Sequence, residues 1–302
     1  EYRNKDGVFP WNVPAEEYTE EDFVLFFTGD SMTRGERLMP FNAFPEKARL
    51  VLESRWPDRK VRAVNGGWDS SSPILQLRQL MQLAPRYKPD IIVQAFDMTD
   101  FHDDVHYDQR LRELKFREST ELSIFQAMYI RLSLMAGVDR LGPWLRRHFV
   151  PTAPAGDADR DELGNVTQLF AMLQSLDESR PALELSWTTI LRTHEFARSI
   201  GAQYMLVVLP RWQQYNMNEC PRCPRDPIDK SPFVGEPLRY FRERASTAPF
   251  PIVIPDEALR NSGVFPTTFD DDFHYNDDGH TIVGEAVARA LIETGWGPPQ
   301  TD

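Results

Sequence analysis

The chain of 302 residues is 41% hydrophobic, enough to bury one large α/β core, and its 46 acidic and 34 basic residues give a net charge of −12. A field of that sign repels phosphate backbones and anionic lipid, and no Lys/Arg run reverses it locally, so no nucleic-acid partner is expected. No apolar run approaches the roughly 20 residues that a bilayer span needs, and no charged segment followed by an apolar one opens the chain.

Residues 1–22 carry aromatic and proline punctuation without period (Tyr2, Phe9, Pro10, Trp11, Pro14, Tyr18) and predict an ordered arm lying across the domain. Residues 23–27 are five consecutive apolar residues, the pattern of a strand covered on both faces. The run stops at Gly29. Asp30 and Ser31 therefore stand at the C-terminal end of a buried strand, where open α/β sheets bind their ligands. A serine there is a candidate nucleophile, and equally a turn residue or a helix N-cap.

A helix is expected over 41–56 and a second strand over 60–64, which runs into Asn65-Gly66-Gly67. Glycines at a strand end allow close approach of backbone to a ligand. Helical spacing over 74–84 ends at Pro85, and a third buried strand over 90–96 leads to Asp97-Met98-Thr99-Asp100. Residues 101–181 break the alternation and predict a helical insertion, with helices over 122–135 and 166–176 and a loop over 151–162. Such an insertion is placed to be a lid or a substrate wall. A helix over 183–200, a strand over 203–209, a helix over 238–244, a short strand over 250–254 and a closing helix over 279–294 complete the chain. The alternation predicts a single domain over 1–302, a three-layer α/β/α sandwich. Its parallel sheet of five strands has the expected order 2-1-3-4-5, with the switch point between the first and third strands.

The only cysteines, Cys220 and Cys223, enclose Pro221-Arg222. Two thiolates are half of a zinc site with nothing Cys- or His-rich beside them, so a loop-stapling disulfide and an oxidising compartment are preferred, with a redox-active or reduced pair as the alternatives. His102 and His106 have a spacing that metals use, but an acidic loop is the simpler reading. His148, His194 and His280 are read as structural. Arg131, Trp144, Arg146 and Arg147 either line a cleft or sit on the surface of the insertion.

Before the closing helix stands Asp271-Asp272-Phe273-His274. An acid three residues before a histidine can hold the imidazole Nδ1 hydrogen and leave Nε2 to take a proton from a serine. Asp270 and Asp272 are rival acids, and spacing favours Asp271. The alternative is an acidic surface loop that caps the final helix. Acyl transfer also needs donors where the oxyanion forms, and the amides of Ser31 and Gly67 are placed to supply two.

In the order and context of these four blocks, over roughly residues 23–291, the chain resembles the SGNH hydrolases, also called GDSL-type esterases and lipases. Gly29-Asp30-Ser31 matches the nucleophile block. Asn65-Gly66-Gly67 matches the second block, which implies an oxyanion-hole role for Gly67. Asp271-Asp272-Phe273-His274 matches the last block, which implies His274 as base and Asp271 as its orienting acid. The third block departs from the family's Gly-x-Asn-Asp, with Thr99 where the asparagine belongs and so as a possible third donor. The resemblance implies a serine esterase without a cofactor that removes an O-acyl group, an acetyl among the candidates, from a carbohydrate or glycan. Lipid ester hydrolysis, acyl transfer, or a non-catalytic glycan-binding module are the alternatives. The insertion and the aromatic arm resemble the larger bacterial extracytoplasmic members, and a chain that begins at Glu1 is compatible with a removed upstream signal or anchor.

Overall fold

The computed structural model describes residues 4–10, 13–113, 168–223 and 227–298. The expected helix over 122–135, the loop over 151–162, Arg131, the 144–147 cluster and His148 lie outside the described residues.

Five parallel strands form one sheet, β1 (Phe23–Thr28), β2 (Val61–Asn65), β3 (Ile91–Phe96), β4 (Gln203–Val208) and β5 (Ile252–Val253), in the order β2-β1-β3-β4-β5. The register Phe27↔Asn65, Thr28↔Gln94 and Phe96↔Val208 brings the C-terminal ends of β1 to β4 to one edge. Every residue of β1 and β3 is buried, Thr28 and Gln94 included, as expected of apolar strands covered on both faces.

Alternation along the strands divides the core. Leu25, Phe27, Val93, Ala95, Met205 and Val207 meet α2 (Phe44–Arg55), the short α7 (Asp256–Asn261) and the closing helix α8 (Asp277–Glu293). Val24, Phe26, Ile92, Tyr204, Leu206 and Val208 meet α3 (Pro73–Tyr87), α5 (Leu176–Ser199) and α6 (Glu236–Ala245). Each fully buried Leu, Val or Phe contributes roughly 1.5 to 3 kcal/mol, so the two apolar layers fix the sheet and, with it, the positions of its loops.

Several boundaries differ from expectation. Helix α3 continues three residues past Ala84, because Pro85 falls in its last turn, and it ends with Lys88 in left-handed backbone at φ 45°. Helix α5 starts at Leu176 rather than 183, fixed by a reciprocal capping box between Ser175 and Glu178, and it carries Pro181 inside. Within the described part of the helix expected over 166–176, residues 170–172 form a 3-10 turn, Phe170–Met172, and α5 begins at Leu176. His102 and His106 lie not in a loop but in helix α4 (Asp100–Glu113), with rings stacked 6.4 Å apart. Among the described residues no group of three His, Cys, Asp or Glu side chains is placed to hold a metal.

The N-terminal arm is tied at both ends of its described part. Phe9 exchanges backbone hydrogen bonds of 3.0 and 2.9 Å with Asn65, and Tyr18 packs edge-on against Tyr87 at 5.2 Å. Ahead of both, Asn4 Nδ2 donates to the Tyr87 hydroxyl at 2.7 Å, and that hydroxyl donates to Asp6 Oδ2 at 3.0 Å.

Candidate active site

The turn after β1 is built around a short helix, α1 (Ser31–Arg34). Gly29 is obligatory here, since a Cβ would lie 2.0 Å from Thr33 Oγ1. Asp30 takes the N-cap role, its Oδ1 accepting the Met32 amide at 2.9 Å. That leaves Ser31, the first helical residue, with an uncommitted side chain and with an amide that has no acceptor inside the helix.

Ser31 Oγ lies 2.8 Å from His274 Nε2, across 243 residues of sequence. His274 is held by the loop before α8, and its Nδ1 is 2.7 Å from Asp272 Oδ1. The acid on the imidazole is therefore Asp272, not Asp271. The reason is local: Asp272 Oδ1 also accepts the His274 amide at 3.1 Å, an Asx turn that swings this carboxylate under the ring. Asp271 points outward to Arg37, whose Nη1 donates to its Oδ1 at 2.7 Å. With Nδ1–H donated to Asp272, Nε2 is the acceptor that faces the serine hydroxyl.

Burial works to raise the Asp272 carboxyl, but hydrogen bonds from the His274 ring and amide, with the charges of His274 and Arg37, outweigh it and hold the group at about 2. It is a carboxylate over the whole working range. Asp271 is also held below its ordinary value, chiefly by Arg37. His274 itself is buried, while Ser31 is half-buried and reachable.

The expected oxyanion donors are placed differently. The Gly67 amide already donates to Asn65 Oδ1 at 2.9 Å, while Asn65 Nδ2 donates to the Thr33 carbonyl at 2.9 Å. This ties the exit of β2 to α1, and a Cβ at Gly67 would come within 2.4 Å of the Arg34 amide nitrogen. The Thr99 hydroxyl donates to Asp97 Oδ2 at 2.7 Å, so it is committed to a neighbour rather than aimed at a hole. Asp97 is in turn ion-paired to Arg211, and both side chains are almost fully buried. Burial pushes the Asp30 carboxyl well up, with Asp97 adding to the effect and Arg211 opposing it; Asp100 moves the same way through burial and the nearby Asp30 and Asp97.

The disulfide Cys220–Cys223 forms as expected. Although distant in sequence, its loop touches the histidine loop, because the Arg222 amide donates to the Asp270 carbonyl at 2.7 Å and its Nη1 donates to Asp270 Oδ2 at 2.8 Å. Buried Glu219 accepts the amides and hydroxyls of Thr267 and Thr268 at 2.9 to 3.2 Å. Arg37, Arg211, Glu219 and Arg222 stand alone in the sequence, with no periodic or motif signal to mark them. His280 is structural as expected: burial pushes it down to about 3, and its Nδ1 accepts the Phe44 amide at 3.1 Å.

No protein-family model and no curated protein matches the sequence. Among solved structures, a catalytic mutant of Axe2, an acetylxylan esterase from Geobacillus stearothermophilus, superposes with a TM-score of 0.50 at 15% identity. That match covers 94% of this chain and 99% of Axe2. A member of the lipolytic protein G-D-S-L family from Veillonella parvula DSM 2008 matches with a TM-score of 0.47 at 13% identity, covering 89% and 98% of the two chains. Likeness at this level is likeness of fold, and the three-layer fold expected from the resemblance to the SGNH hydrolases is the fold that this chain has.

Proposed function

We propose that the chain is a serine ester hydrolase of the SGNH type that removes a small O-acyl group, acetyl first among the candidates, from a carbohydrate. The observation that carries this reading is the relay of Ser31, His274 and Asp272, with contacts of 2.8 and 2.7 Å at the edge where the sheet delivers β1. A serine hydroxyl needs an adjacent base to be nucleophilic near neutral pH, and a base needs a fixed tautomer. Ser31 Oγ attacks the ester carbonyl while His274 Nε2 takes its proton and returns it to the leaving alkoxide, giving an acyl-enzyme and the free alcohol. Water then repeats the cycle and releases the acid. The Ser31 amide is the oxyanion donor best supported, and Gly67 joins it by sharing its proton with Asn65.

The acetyl and carbohydrate assignment is supported by the fold shared with Axe2, an acetylxylan esterase. The test is hydrolysis of p-nitrophenyl acetate against longer acyl chains, and of acetylated xylo-oligosaccharides, by wild type and Ser31→Ala. Acetyl turnover above longer chains, lost by ~1,000-fold or more in Ser31→Ala, is the expected result. Glycan binding without ester turnover would replace it with the non-catalytic module.

A further inference from the structure

We infer that Arg211, at the exit of β4, is a positioning residue for His274, acting through Phe273 and held in place by the third-block residues Asp97 and Thr99. The inference rests on the reading of His274 as the base. Two consecutive residues after β4 grip the two neighbours of the histidine. The Pro210 carbonyl accepts the Tyr275 hydroxyl at 2.5 Å, and the Arg211 guanidinium lies 3.9 Å from the centroid of the Phe273 ring. The Phe273 and His274 rings are themselves in contact, with centroids 4.3 Å apart and planes tilted by 31°.

The other side of the guanidinium is fixed from β3. Arg211 is 3% exposed and paired with Asp97, which also accepts the Thr99 hydroxyl and, at 3.3 Å, the Thr99 amide. A continuous set of contacts thus runs from the β3 exit through Asp97, Arg211 and Phe273 to His274. A flat delocalised cation suits this place, since it can pair in its own plane with a carboxylate while its face lies on an aromatic ring; lysine can do the first but not the second. The arrangement also accounts for a threonine at position 99: its hydroxyl orients the carboxylate that holds the arginine.

The test uses Phe273→Leu, which leaves the ion pair intact, and Arg211→Lys, which keeps the charge but loses the flat face. Because small misplacement of a catalytic group is costly, each should lower kcat by about tenfold or more with KM within twofold, and the double variant should be no slower than the slower single. The His274 ring resonances, assigned by comparison with His274→Ala, should shift in Arg211→Lys, in which the Phe273 ring and its ring current are kept. Resonances and kcat that stay at wild-type values while only the thermal midpoint falls would reduce Arg211 to a stability role and overturn the inference. If the wild type hydrolyses no ester, the esterase reading fails, whereas the resonance shifts still decide whether Arg211 positions His274.

Discussion

At the level of single residues, the choice between two adjacent acids is the sharpest test of the site. Asp272 accepts the His274 Nδ1 hydrogen, and Asp271 is an exposed partner of Arg37. Replacing the orienting acid of such a relay by its amide favours the wrong tautomer and costs on the order of 10,000-fold. Asp272→Asn should therefore lower kcat by ~1,000- to 10,000-fold, while Asp271→Asn, which weakens only a surface ion pair, should stay within about threefold of wild type. The reverse result would return the role to the acid favoured by spacing. Thr99 gives a second contrast. Loss of a true oxyanion donor costs ~100- to 1,000-fold in turnover. With its hydroxyl 2.7 Å from Asp97 Oδ2, Thr99→Val should cost less than about tenfold. A larger loss would put that hydroxyl in the hole.

At the level of elements, what could be read in advance was what local pattern dictates. Five apolar residues before Gly29, and similar runs before Asp97 and Pro210, marked the buried strands, and their sheet edge gathers Ser31 and His274. What escaped depends on partners distant in sequence or on loop conformation. Asp272 rather than Asp271 meets the imidazole because of an Asx turn and a pull from Arg37, 234 residues away. The fate of Thr99 is set by Asp97, itself paired to Arg211 at a separation of 114. The start of α5 was visible in Ser175 and Glu178, but Pro181 invites a later start. The cysteine loop is a further case, since sequence gives its pairing but not its neighbour. A bridge between residues three apart removes little chain entropy, so Cys220→Ala with Cys223→Ala should cost at most about 2 kcal/mol in chemical denaturation. The Arg222 backbone bond to Asp270 needs no disulfide, so kcat should remain within about threefold; a collapse of activity at unchanged stability would make the bridge part of the site.

Over the whole molecule, buried carboxyls determine how the fold responds to pH. In α4, Asp104 accepts the Ser72 hydroxyl at 2.6 Å and the Ile74 amide at 3.0 Å, yet burial still lifts it from 3.8 to about 6. Asp30 and Asp100 are raised as well, again by burial first. Between the unfolded and folded values, the folded chain keeps protons that the unfolded chain has released, so stability falls as pH rises through that window. For Asp104 alone, a gap of ~2 units is on the order of 3 kcal/mol, all of it lost by about pH 7. Asp272 works in the opposite sense: its folded value of about 2 supplies stability that is in place above about 4 and lost as pH falls toward 2. The net charge of −12 favours the same direction as the raised carboxyls, because protonation relieves self-repulsion, whereas buried His280, held down from 6.5 to about 3, takes stability away as pH falls below about 6.5. Between pH 5.5 and pH 8 the folded chain releases the Asp104 proton, which lowers the wild-type thermal midpoint at pH 8 relative to a chain with no ionisable group at position 104. Asp104→Asn keeps an acceptor for Ser72 and Ile74 but cannot ionise, so it should raise the midpoint at pH 8 more than at pH 5.5. A midpoint difference between pH 8 and pH 5.5 that is the same in Asp104→Asn and wild type would mean that Asp104 is already ionised in the folded protein.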